Sequence, residues 1–189
     1  MIPARITRKL TFLGFMLISA GSLLGQIRSG LPAGSPTESI PVSDVTGPYK
    51  GARVCYVCEF ETDPNVLAFF RDTSDETAKL IVELNQLYVK NKARNFKAVA
   101  MIIAGSDSKK WLENLNRTEK LEIPLTFFTK GPKDVAARIY KLNPEVQNTF
   151  LVTVNRTVAD NISDIAPGEF GQVIDAAEKM LAGNGPKLK

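Results

Sequence analysis

Two apolar runs in close succession, the second broken only by Lys97, constrain this chain more than anything else in it. Val66 to Phe70 (VLAFF) and Phe96 to Ala104 (FKAVAMIIA) lack the polar alternation of a half-exposed strand, so a strand formed by either must be covered on both faces. Between them Leu80, Ile81, Leu84, Leu87 and Tyr88 recur at helical spacing up to Lys92, and Thr73 with Glu76 three residues later fits a capping box. Strand, helix of about five turns, strand is a βαβ unit, which crosses over right-handed and makes a parallel pair. The expected class is therefore α/β, a central sheet with helices on both sides.

The rest of the chain adds to that unit. Asp107 or Ser106 is placed to cap a second helix carrying Trp111, Leu112 and Leu115. Ile123 to Phe128 (IPLTFF) is another apolar strand, with Pro124 near its start, where a strand tolerates proline best. Pro132 to Leu142 supports a short helix, and Thr149 to Val154, a turn at Asn155-Arg156 and Thr157 to Ile162 form a predicted β-hairpin. Phe170, Val173, Ile174, Ala177, Met180 and Leu181 draw one apolar stripe at helical spacing, stopped by Gly183.

The N-terminus has the layout of a secretory signal peptide. Arg5, Arg8 and Lys9 precede the 15-residue apolar stretch Leu10 to Leu24, and small residues follow up to Gly25. That stretch is short against the roughly 20 residues needed to span a bilayer, so residues 1–25 are expected to be removed and the protein exported, periplasmic or extracellular. Membrane contact is expected only if the segment stays uncleaved. Pro32, Pro36, Pro41 and Pro48 with Gly30, Gly34 and Gly47 make residues 26–48 a predicted flexible linker. The folded domain is then expected over residues 49–182, with a polar tail at 183–189. The formal charge of +4 suggests nucleic acid, but without the three leader cations 21 basic residues face 20 acidic ones. Lys109-Lys110 and the Lys92 to Lys97 charges are expected to be solvated helix ends without interleaved exposed aromatics, so no nucleic-acid partner is expected.

The order strand, helix, strand, helix, strand, short helix, hairpin, helix resembles the thioredoxin-like superfamily in its redoxin or peroxiredoxin form. IPLTFF followed by KDVAARIYKL and the segment NTFLVTVNRTVADN are similar to stretches of that family. The resemblance covers roughly residues 62–181. It implies a thioredoxin-like three-layer sandwich with a central mixed β-sheet flanked by helices. It also implies reactive cysteines after the first central strand, at the N-terminus of the next helix, where the helix dipole stabilises a thiolate. This chain departs from that pattern, because FFRD is followed by Thr73, Ser74, Asp75, Glu76, Thr77 and Ala78. Gln147 also stands where the redoxin pattern has its proline before the hairpin strand, unless IPLTFF is the strand that follows the proline, as in plain thioredoxins.

The two cysteines, Cys55 and Cys58, lie in VCYVCEF, about 20 residues ahead of that position. A CxxC pair in such a domain suggests thiol-disulfide exchange, with Cys55 as the attacking and Cys58 as the resolving thiol by analogy. Disulfide-bearing proteins or small thiols are the implied partners, and no cofactor is implied. The alternatives are a structural disulfide in a non-catalytic binding module, two unpaired cysteines, and half of a zinc site. Geometry divides them. The flanking Val54, Tyr56, Val57 and Phe60 favour a strand, which would point the cysteines to opposite faces about 10 Å apart, whereas a tight or helical turn would let them bond. Thr73 to Asp75 could hold a small anion or partner, although such residues more often only cap the helix. The chain has no histidine, which excludes a Ser-His-Asp triad, a Cys-His pair and a His-ligated metal.

Overall fold

The computed structural model describes residues 28–184. The expected signal segment and residues 185–189 of the tail lie outside the described residues. The chain runs β1 (Val42–Asp44), β2 (Arg53–Val54), α1 (Tyr56–Glu59), β3 (Asn65–Phe70), α2 (Asp75–Asn91), β4 (Lys97–Ile102), α3 (Lys109–Glu119), β5 (Leu125–Phe127), α4 (Val135–Ile139), β6 (Asn148–Val154), β7 (Thr157–Ser163) and α5 (Gly171–Lys179). One seven-stranded sheet has the order β2-β1-β5-β4-β3-β6-β7. β3, β4 and β5 are parallel, while the β1 and β2 edge and the β6-β7 hairpin run antiparallel to their neighbours.

The expected βαβ unit is present, and every residue of β3 is buried. The reason is visible in its alternation. Val66, Ala68 and Phe70 face a core shared with Leu80, Leu84 and Leu87 of α2, Leu112 of α3 and Val173 and Ala177 of α5. Leu67 and Phe69 face the opposite core with Tyr56, Val57, Phe60, Ala136 and Tyr140. With an apolar core on each face, the five residues from Val66 to Phe70 are all apolar, and the one polar residue, Asn65 at the strand's start, is buried with its amide hydrogen-bonded to Asp63 O and Thr153 Oγ1. The hairpin turn is a two-residue turn with positive φ at Asn155 (52°) and Arg156 (56°), the backbone twist that tight hairpins favour. Because β6 pairs antiparallel with β3 and β5 pairs parallel with β4, the redoxin alignment holds, and Gln147 occupies the position before the hairpin strand. All peptide bonds among the described residues are trans.

The expected linker is corrected by the structure. Residues 28–48 belong to the domain: Val42–Asp44 forms a sheet strand, and Leu31, Ile40, Val42 and Val45 are buried. The cause lies on the second face of the sheet. There α1 and α4 have only four and five residues, too little surface to cover Leu67, Phe69, Val99, Met101 and Leu151, so the N-terminal segment crosses that face as a strap. It is held by polar groups at both ends. Asn161 Nδ2 donates to Ser29 O and Leu31 O, both at 2.9 Å, and Tyr140 Oη donates to Glu38 O at 2.7 Å. Two helix starts also differ from expectation. Ser74, not Thr73, caps α2, with its Oγ accepting the Thr77 N–H at 3.2 Å. Residues 106–108 form a 3-10 turn ahead of α3 instead of a side-chain cap.

Candidate functional site

The cysteines lie in a turn, not a strand. Val54 ends β2, Cys55 is the extended N-cap (φ −101°, ψ 92°), and Tyr56–Glu59 makes one helical turn. Cys55 O accepts the N–H groups of Cys58 (2.9 Å) and Glu59 (3.0 Å). The strand-favouring residues are overruled by packing: Tyr56 and Phe60, four apart, stack on one helical face with ring centroids 5.6 Å apart and bury together with Val57. An extended chain would have placed Tyr56 and Val57 on opposite sides of the sheet.

Cys55 and Cys58 are bonded to each other, with Cα atoms 5.2 Å apart, inside the range a disulfide requires. With both sulfurs in this bond, neither is available to a metal in this state. Among the described residues no cluster of three metal-ligating side chains occurs. The two sulfurs are not equivalent. Cys55 is half-buried against the second core, and its Sγ accepts the Cys58 N–H at 3.2 Å. Cys58 is exposed, and its Sγ lies 3.2 Å from Ser39 Oγ. An oxidised sulfur carries no proton, so the serine hydroxyl is the donor. Ser39 Oγ in turn accepts a hydrogen bond from Arg156 Nη2 at 3.2 Å.

A buried carboxylate fixes this turn against the strap. Asp44, 3% exposed, accepts hydrogen bonds from the N–H groups of Thr46 (3.1 Å), Gly47 (2.7 Å) and Tyr49 (2.8 Å) and from Tyr56 Oη (2.8 Å). Burial and the Asp44 hydrogen bond push the Tyr56 phenol well above its ordinary range. Gly47 is required there, because a Cβ would collide with Tyr56 Oη. Tyr49 Oη donates to Glu59, a contact that raises the Tyr49 pKa.

The topology puts the disulfide at the opposite end of β3 from the corner where this fold carries its thiols. Thr62, ahead of β3, accepts from Asn155 N at 3.1 Å, and the Asn155-Arg156 turn is the one that reaches Ser39. At the other end Arg71 N donates to Gln147 O, and the chain enters α2. Six strand residues separate the two by about 17 Å. The Thr73 to Asp75 corner is a helix cap. Asp72 Oδ1 accepts from Ser74 N (3.0 Å) and Thr77 Oγ1 (3.1 Å), and Ser74 Oγ accepts from Thr77 N, so the carboxylate and hydroxyl of the chain itself occupy two of the N–H groups at this corner. Burial opposes ionisation of Asp72, but these bonds and the Arg71 charge outweigh it and hold the carboxyl below its usual range.

Two surface clefts lie away from the cysteines. One is lined by Thr46, Lys50, Glu113, Asn114, Asn116 and Arg117, and the other by Val82, Glu83, Leu115, Glu119 and Pro167 among others. Ser39 and Arg156 had no signal in the sequence, since Ser39 reaches Cys58 across 19 residues and Arg156 reaches Ser39 across 117.

Sheet order and helix placement define a thioredoxin-like fold of redoxin type, which here carries a CxxC disulfide at the end of β3 opposite the usual corner. Solved structures agree on the fold. Peroxidoxin BcpB from Mycobacterium tuberculosis superposes with a TM-score of 0.63 at 16% identity, over 79% of this chain and 98% of that one. A protein from Chlorobium tepidum assigned as the thiol:disulfide interchange protein DsbE gives 0.62 at 16% identity, over 80% and 99%. One from Bacteroides thetaiotaomicron assigned as a protein disulfide isomerase gives 0.63 at 11% identity, over 82% and 95%. No protein-family model matches the chain, and no curated protein matches it at a significant level.

Proposed function

We propose that this protein is an exported thiol-disulfide exchange protein that works through Cys55 and Cys58, on disulfide-bearing proteins or small thiols. The observation that carries this reading is the disulfide itself: it closes one helical turn, with one sulfur exposed and the other accepting a backbone N–H. Its energetics suit a bond that opens and closes. Chain-entropy arguments give a loop this short a stabilisation of only about 2 kcal/mol, while two extensive apolar cores hold the domain together. Reduction therefore leaves the fold standing. The neighbours named as interchange and isomerase proteins support the same chemistry by their names. Export is consistent with it, since disulfides persist outside the cytosol. N-terminal sequencing of protein recovered from an expressing host tests the leader, with cleavage near residue 25 expected.

A second reading is a binding module in which the disulfide only fixes the turn at 55–58. It is favoured by the corner after β3, which holds no cysteine and where Asp72, Ser74 and Thr77 bond to one another as a helix cap. A redox titration separates the two, with alkylation and intact mass counting free thiols. Exchange chemistry expects reversible opening between about −120 and −270 mV, and a bond that survives below about −300 mV is structural.

A further inference from the structure

The direction of exchange follows from the inequality of the two sulfurs, and this inference rests on the exchange reading above. We infer that Cys58, the second cysteine of the motif, is the sulfur that meets the substrate, with Ser39 as its hydrogen-bond donor and Arg156 as the residue that positions Ser39. Cys55 is the internal leaving group and resolving thiol.

Three observations converge on this assignment. Cys58 is exposed, whereas Cys55 is half-buried against Tyr56 and Val57 and the core beneath them. An incoming thiolate must approach along the extension of the S–S bond, so the outward sulfur is the one it reaches. Cys55 Sγ already accepts the Cys58 N–H, a contact that stabilises negative charge on Cys55 when the bond breaks. Cys58 Sγ has its own provision, the Ser39 hydroxyl, which is polarised by the Arg156 guanidinium.

The steps balance as two thiol exchanges. A small-thiol anion RS⁻ attacks Cys58 Sγ, forming the Cys58–S–S–R bond and breaking the Cys55–Cys58 bond, whose electron pair leaves on Cys55. A second RS⁻ attacks the R sulfur, forming RSSR and releasing Cys58 as a thiolate beside Ser39. The pair is reduced by two electrons, two thiols are oxidised to one disulfide, and two protons pass from the thiols to Cys55 and Cys58. In the reverse direction Cys58 attacks a substrate disulfide and Cys55 resolves the mixed intermediate.

The test uses the oxidised full domain and reduced glutathione as the probe. A brief reaction is quenched with acid and N-ethylmaleimide, and the glutathione adduct is mapped by peptide mass. The adduct is expected on Cys58 over Cys55 by about tenfold or more. Capture by oxidised glutathione is expected to be at least about tenfold faster for Cys55→Ser than for Cys58→Ser. In the Cys55→Ser background, Arg156→Gln and Ser39→Ala should move the pH midpoint of iodoacetamide alkylation upward, and Arg156→Lys should restore most of the shift. A purely structural role for Arg156 would leave that midpoint unchanged. Adducts on Cys55, or a midpoint indifferent to Arg156 and Ser39, overturn the assignment. Adduct mapping and the redox titration fail independently: a pair that cycles at exchange potentials through Cys55 keeps the proposed function and refutes this inference.

Discussion

The two ends of β3 carry opposite designs. At its C-terminal end, where this fold carries its thiols, Asp72, Ser74 and Thr77 bond to one another and to the first turn of α2. These three side chains serve the helix start. At its N-terminal end a shorter helical turn bears a disulfide whose outer sulfur meets a hydroxyl that itself accepts from a guanidinium, the two coming from distant segments. The comparison teaches that a fold's layers and the placement of its cysteines are separable: this sheet accommodates a bonded pair at the end of β3 away from the α2 corner, because a local turn brings the sulfurs together and leaves one outside.

The comparison is most sharply broken by the cysteines. Cys58→Ser or Cys55→Ser is expected to lower reduction of a fluorescent peptide disulfide by on the order of 100-fold or more. Ser74→Ala at the opposite end should leave the same rate within about twofold. Next in size is Asp44→Ala, which leaves three backbone N–H groups and the Tyr56 hydroxyl near the disulfide turn without their acceptor. It is expected to destabilise the domain by about 2–4 kcal/mol in urea unfolding. Reducing the native disulfide should cost about 2 kcal/mol in the same assay and leave the far-ultraviolet circular dichroism unchanged. A loss of all secondary structure on reduction would instead make the bond a structural necessity. Ser74→Ala should cost about 1 kcal/mol, the usual worth of an N-cap.

The smallest effect is a pH dependence confined to the cap end. Asp72 has a folded pKa below its unfolded value, so its contribution is fully present above the unfolded carboxylate range. It is lost as pH falls through the folded pKa. Asp72→Asn should therefore reduce stability at neutral pH and flatten the acid limb of a stability profile, and an unchanged limb would remove Asp72 from the cap.

Much of the fold was legible from local pattern. The runs at 66–70 and 96–104 showed themselves by continuous apolar character, the Asn155-Arg156 hairpin by two strand-like runs around a turn, and the helix at 73–92 and the stripe from Phe170 to Leu181 by a period of 3.6. The site was half legible. The spacing of Cys55 and Cys58 announced that a bond was available, but the surrounding Val54, Tyr56, Val57 and Phe60 pointed equally to a strand. What selected the helical turn was the burial of Tyr56 and Phe60 on one face and the Tyr56 hydroxyl on Asp44, a residue 12 positions away.

The strap shows the same limit from the other side. Its prolines and glycines hide any period, so Leu31, Ile40, Val42 and Val45 gave no sign of a strand until a sheet face needed cover. Local pattern along the chain was enough to specify the βαβ unit, the hairpin, the last helix and the i, i+3 spacing of the cysteines, because each depends on neighbours within a few residues. The placement of that pair beneath β3, the exposure of Cys58 over Cys55, and the meeting of Cys58 with Ser39 and Arg156 arose only on packing. Contacts spanning 19 to 117 residues leave no trace in local spacing, and burial and hydrogen bonding set them once the layers close.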